Sequence, residues 1–141
     1  MIAQSSLASY NNDMSKKVLI VDDAGFIREI LSKLILSLGH HPYEASNGDE
    51  AIKEALDIHP DIIFMDLVMP ARNGVEASQR ILEVLPKVRI VAMSTLDDEM
   101  IHEQLKAIGV KDFMAKPFQK ADVEKYFKSE NKNEIDKGDL K

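Results

Sequence analysis

Short apolar runs alternate along this chain with apolar stripes at helical spacing, and that alternation predicts its elements. Val18-Leu19-Ile20-Val21 is too short for a helix and rich in β-branched residues, which predicts a strand buried on both faces. It ends in Asp22-Asp23. From Gly25 the period changes: Ile27, Ile30, Leu31, Leu34, Ile35 and Leu38 form one wide helical stripe, and Gly39 stops it. His41 to Ala45 alternates weakly and contains Pro42, as suits an edge strand. Asn47-Gly48-Asp49-Glu50 has the composition of a helix start, continued by Ala51, Ile52, Ala55 and Leu56 and closed by His59-Pro60.

Asp61 to Asp66 forms the central strand, whose apolar run Ile62 to Met65 ends abruptly in one carboxylate, with Pro70 four residues on. After a loop from Leu67 to Asn73, Gly74 opens a helix with Val75, Ser78, Ile81, Leu82 and Leu85 inward, ended by Pro86. Val88 to Met93 is a fourth strand, ending in Ser94-Thr95. Asp97-Asp98-Glu99 then places acids in the first turn of a helix facing inward through Ile101, Leu105 and Ile108, with Gly109 as its stop. Val110 to Ala115 is a more mixed fifth strand ending at Lys116-Pro117, and a short last helix carries Val123, Tyr126 and Phe127.

Five strand–helix units in line imply a parallel sheet wrapped on both faces, because right-handed crossovers leave few other solutions. The expected fold is a doubly wound α/β domain of five such units with strand order 2-1-3-4-5, which puts the strongest apolar strands inside. Residues 1 to about 15, polar and without periodicity, read as a loose extension, 16–128 as the domain, and 129–141 as a charged tail.

Composition narrows the function. The 141 residues suffice for one domain, and the net charge of −6 with a pI near 5.2 argues against nucleic-acid binding. Cysteine is absent, which removes disulfides and thiolate metal sites. No apolar run approaches the roughly 20 residues of a membrane span, and no signal peptide is visible, so a cytoplasmic location is expected.

In a parallel sheet all strands end at one edge, where open α/β folds place their sites. Asp22-Asp23, Asp66, Ser94-Thr95 and Lys116 therefore converge. Taken singly, each has an ordinary explanation: Asp66 as a turn cap, Asp23 and Ser94 or Thr95 as helix caps, Lys116 as a solvated lysine, Phe113 as packing. His40, His41, His59 and His102 show neither ligand spacing nor convergent partners. Together, three carboxylates repel unless a cation joins them, and a hard cation such as Mg²⁺ suits an all-oxygen cluster. A hydroxyl and an ammonium can hold the oxygens of a phosphoryl group on Asp66. The set describes an aspartyl-phosphate site.

At this point the chain resembles the receiver domains of bacterial two-component response regulators, similar to the stand-alone chemotaxis type, with the flavodoxin-like fold. The resemblance covers about Lys16 to Lys128. It rests on Val21-Asp22-Asp23, Phe64-Met65-Asp66-Leu67-Val68-Met69-Pro70 with Gly74 after it, Met93-Ser94-Thr95, and Lys116-Pro117-Phe118.

The resemblance implies that Asp66 accepts a phosphoryl group from a phosphohistidine on a sensor histidine kinase or histidine phosphotransfer protein. It implies that Asp23, Asp66 and the backbone carbonyl of Val68 hold Mg²⁺, with Asp22 acting mainly through water. Lys116, Ser94 and Thr95 would face the phosphoryl oxygens. Ser94 and Phe113 would form the switch, and the Lys116–Pro117 bond would be cis. Such a module is not a conventional enzyme but catalyses its own phosphorylation and slow dephosphorylation. Output to a target protein or phosphatase would pass through the fourth helix, fifth strand and fifth helix, from a monomer or a weak phosphorylation-dependent dimer, with no membrane partner. The residues after 129 offer no DNA-binding output domain, so a free signalling module, a relay shuttle or a receiver cut from a longer protein is expected.

Three positions depart from the family pattern. Val68 and Leu96 offer no polar group to orient an attacking water, and Thr95 stands where Ala or Gly is usual. Two other classes share part of this pattern. A haloacid dehalogenase-type phosphatase needs a second acid two residues after the nucleophile, where Val68 stands. A flavodoxin-like FMN binder needs a phosphate-cradling loop after the first strand, and Asp22-Asp23 would repel that phosphate.

Overall fold

The alternation of side chains along a strand sorts the apolar residues of this protein onto two cores. In the computed structural model, which describes residues 14–69 and 73–128, β1 (Lys17–Val21) sends Val18 and Ile20 to one face of the sheet and Leu19 and Val21 to the other. On the first face they meet Leu31 and Ile35 of α1 (Gly25–Ser37) and Val123 of α5 (Lys120–Glu124). On the second they meet Ala51 and Ala55 of α2 (Gly48–Ile58), Ala77 and Ile81 of α3 (Gly74–Val84), and Leu105 of α4 (Glu99–Ile108). The sheet is completed by β2 (His41–Ala45), β3 (Ile62–Asp66), β4 (Arg89–Ser94) and β5 (Asp112–Ala115). All neighbouring pairs are parallel and the order is β2-β1-β3-β4-β5, as the apolar runs predicted.

Tertiary packing trims the expected elements. Ile30 and Leu56, read as part of inward stripes, are exposed, because a helix on a twisted sheet buries a narrower strip than its full apolar arc. α4 begins at Glu99 rather than two residues earlier: Asp98 is its N-cap, accepting a hydrogen bond from the Ile101 N–H at 2.9 Å, and Asp97 stands outside. β5 starts at Asp112, since Val110 N–H closes the end of α4 by donating to Leu105 O. Tyr126 and Phe127 lie just beyond α5, yet both still pack on the first core.

Residues 1–13, 70–72 and 129–141 lie outside the described residues, and with them the expected charged tail and all but Met14 and Ser15 of the expected extension. The assignment of 16–128 as one domain stays a reading of the sequence. Among the described residues, no helix is long and apolar enough to cross a membrane.

Candidate functional site

The parallel ladder runs one residue past several strands and so delivers their end residues to one edge. Asp22 N–H donates to Ala45 O at 3.2 Å, Leu67 N–H to Met93 O at 3.0 Å, and Lys116 N–H to Ser94 O at 2.9 Å. Here Asp22, Asp23 and Asp66 come together: each offers a carboxylate oxygen within 4.8 Å of the other two. Asp22 and Asp66 are buried, at 1% and 4% exposure, whereas Asp23 is exposed.

Asp22 is held on every side. Its Oδ1 accepts from the Ala24 N–H at 2.9 Å, its Oδ2 from Lys116 Nζ at 2.7 Å, and its carbonyl from Arg28 Nη1 at 2.7 Å. Both carboxylate oxygens of Asp22 are thus engaged. Asp66 Oδ1 lies 3.5 Å from Lys116 Nζ and accepts from the Val68 N–H at 3.3 Å. Burial first, and then the charge of Asp22, push the Asp66 carboxyl up to about 6 against the pull of Lys116. Burial works against the charge on Lys116, but the hydrogen bond to Asp22 and the two acids outweigh it and hold the lysine above its ordinary value.

The helix-cap alternatives for this edge are not what the structure shows. Ala24 is the N-cap of α1, with no side-chain cap bond, so Asp23 does not cap it. Ser94, buried, accepts from the Leu96 N–H at 2.8 Å while Asp98 caps α4. Thr95 and Leu96, the next two residues, are exposed, and Val68, two residues after Asp66, is 59% exposed. The Lys116–Pro117 peptide is cis.

Gly74 is a close-approach glycine. A Cβ at this position would overlap the Asp66 carbonyl oxygen and lie 2.8 Å from Leu67 Cα, so α3 starts directly against the end of β3 that carries Asp66. Asn73 anchors that start by accepting from the Glu76 N–H at 2.9 Å.

Phe113 does not join the acidic group. It sits on β5, half-buried, with its ring 4.4 Å from that of His102 on α4. His102, which has no partner legible in the sequence, has its Nε2 2.6 Å from Asp97 Oδ1, so the ring links the loop after β4 to Phe113. His40 likewise has partners: its Nδ1 accepts from the Lys16 N–H at 3.0 Å, and its ring stacks on Phe127. Arg28 was also missed, since within the helical stripe it reads as one more surface charge. Its only signal is a position one turn into the helix that follows the acidic pair.

The profile of the response regulator receiver domain matches residues 18–128. This chain belongs to the response regulator receiver family. The receiver is 42% identical over 112 residues to chemotaxis protein CheY of Thermotoga maritima, covering 78% of this chain and 92% of that protein. Among solved structures, chemotaxis protein CheY4 of Vibrio cholerae superposes with a TM-score of 0.77 at 27% identity, covering 79% of this chain and 95% of the other. The CheX–CheY–BeF3–Mg²⁺ complex of Borrelia burgdorferi gives 0.73 at 28% identity, with 80% and 90% covered. Receivers of the CheY type are two-component signalling modules phosphorylated on aspartate, not conventional enzymes. The acidic group Asp22, Asp23 and Asp66 fits the Mg²⁺ site of such domains.

Proposed function

We propose that this receiver is switched by phosphorylation of Asp66. The phosphoryl group comes from a phosphohistidine on a sensor histidine kinase or phosphotransfer protein, and the result is a change in affinity for a target protein or phosphatase at the α4–β5–α5 face. One observation carries the reading: the buried Asp66 carboxylate stands within 4.8 Å of two further carboxylates and 3.5 Å from Lys116 Nζ, at the edge where the strands end.

A carboxylate oxygen of Asp66 attacks phosphorus in line with the P–N bond. The O–P bond forms as that bond breaks, and the imidazole leaves with the electron pair and takes up a proton. Asp23, Asp66 and the Val68 carbonyl are the groups proposed to hold Mg²⁺, with Asp22 acting through water. The bound cation supplies charge neutralisation at the transferring oxygens. Lys116 faces one phosphoryl oxygen and Ser94 another, with Thr95 at the rim. Since these groups all belong to the receiver, it catalyses its own modification with no general base.

Hydrolysis is slow in this reading, because Val68 and Leu96 flank Asp66 without a polar group to orient water. The switch is read from Ser94: movement of its hydroxyl to a phosphoryl oxygen releases its bond from the Leu96 N–H, and Phe113 turns inward into the space vacated. Beside Phe113 runs a groove of about 450 Å³ lined by Glu99, His102, Glu103, Lys106 and Lys111, with Met100 72% exposed near it. That face suits a partner whose affinity depends on the position of Phe113.

The test is intact mass after incubation with Mg²⁺ and a small phosphodonor. Wild type is expected to gain one phosphoryl group and Asp66→Asn none; an adduct that persists in Asp66→Asn removes the central assignment.

A further inference from the structure

Four polar groups of Asp22 are fixed, and the fixing of its carbonyl reaches furthest from the site. Arg28 Nη1 donates to that carbonyl at 2.7 Å, and Arg28 Nε donates to Glu44 Oε1 on the edge strand at 2.9 Å. Glu44 is braced in turn, since its Oε2 accepts from Ser32 Oγ at 3.0 Å. The guanidinium thus spans from α1 to β2 and to the end of β1, using the planar fork that only arginine offers. Its side chain is 22% exposed.

We infer that Arg28 is a positioning residue for the divalent cation: it holds the Asp22 carbonyl so that the next residue, Asp23, presents its carboxylate to Asp66, while Glu44 cancels the charge that would repel the ion. The inference rests on the reading of the acidic group as a Mg²⁺ site. Its physical basis is the planar peptide: fixing the Asp22 carbonyl fixes the Asp23 N–H and with it the axis about which Asp23 turns. Asp23 is exposed and takes its direction from that backbone, whereas Asp22 and Asp66 are packed in place.

Electrostatics alone and positioning predict opposite signs. Removing a cation beside an acidic pocket should tighten Mg²⁺ binding if charge is all that matters. Removing a brace should weaken it.

The experiment is calorimetric titration of Mg²⁺ into the full chain as wild type, Arg28→Met, Arg28→Lys and Glu44→Gln, with circular dichroism in EDTA to establish folding. Arg28→Met is expected to raise the Mg²⁺ Kd about tenfold, the lower end for contacts that orient metal ligands from outside. Arg28→Lys should recover part of the loss, because an ammonium can hold the carbonyl or Glu44 but not fork between them. At saturating Mg²⁺ the rate of phosphoryl adduct formation should return to the wild-type value. Arg28→Met binding Mg²⁺ as tightly as wild type or more tightly overturns the inference, as does a lowered plateau rate with unchanged Kd. If Arg28→Met does not fold, Arg28→Lys decides: it keeps the charge and loses the fork, so weaker binding than wild type supports the brace and unchanged binding overturns it, while Glu44→Gln binding as tightly as wild type overturns the part given to Glu44. Wild type that fails to bind Mg²⁺ overturns the metal reading itself, a result distinct from any of these.

Discussion

Lys116 Nζ lies 2.7 Å from Asp22 Oδ2 but 3.5 Å from Asp66 Oδ1, so the lysine is bonded to Asp22 and only near the acid proposed to react. Asp66 therefore keeps an oxygen pair free of a tight ion pair. Lys116→Met should leave Asp22 charged and buried without its partner, at a cost of about 3 kcal/mol. Mg²⁺ should restore more stability to this variant than to wild type, since a cation substitutes for the missing charge. Urea unfolding with and without Mg²⁺ measures both, and equal Mg²⁺ stabilisation of the two proteins would refute the account.

The carboxyl of Asp66, pushed up to about 6, makes stability depend on pH in a defined direction. Its folded value lies above its unfolded one, so its contribution is fully present below the unfolded pKa near 4 and is lost as pH rises through about 6. In EDTA, Asp66→Asn should be more stable than wild type by on the order of 2 kcal/mol at pH 7.5, with the gain vanishing near pH 4. A gain that does not change with pH would show that the cause is not the charge.

Val68, 59% exposed, has room for a polar replacement without a folding cost. Val68→Asn should shorten the phosphorylated lifetime by on the order of tenfold, the factor for one hydrogen bond worth about 1.4 kcal/mol in the transition state. Intact mass followed after removal of the phosphodonor gives the lifetime, and an unchanged value sinks the hypothesis of slow self-dephosphorylation.

At Gly74 the structure leaves no space, because a Cβ would overlap the Asp66 carbonyl oxygen. Gly74→Ala should cost about 1–3 kcal/mol and also slow adduct formation at Asp66, since the backbone that must shift carries the proposed phosphoacceptor. Wild-type stability together with a wild-type rate would contradict that close approach.

In the proposed switch, Ser94 reports through Leu96. The Leu96 N–H donates to Ser94 Oγ in this structure, so its hydrogen exchange should quicken on phosphorylation, and should already be fast in Ser94→Ala. Phe113→Ala should form the adduct at the wild-type rate while losing the phosphorylation-dependent change around His102. Protection at Leu96 that phosphorylation leaves unchanged would count against movement of Ser94.

Much of this protein was legible in the order of its residues. β1, β3 and β4 read directly because buried parallel strands are continuous apolar runs, and parallel strands in series must end at one edge, which brought Asp22, Asp23, Asp66, Ser94 and Lys116 together without coordinates. Element ends read less well. Asp98 and Val110 are ordinary residues until a cap or a helix closure uses them, and Ile30 and Leu56 are apolar whether or not the sheet reaches them. Only the tertiary structure decided which acid holds the lysine, why Gly74 admits no side chain, and that Arg28, Glu44 and Ser32 brace the acidic pair. Each is set by how elements pack, with Lys116 reaching Asp22 at the sheet edge, α3 starting against the end of β3 and α1 lying beside β2, and no local pattern encodes those placements. His102 shows the same division: unremarkable in the helical stripe, it gains Asp97 and Phe113 only when α4 packs beside β5.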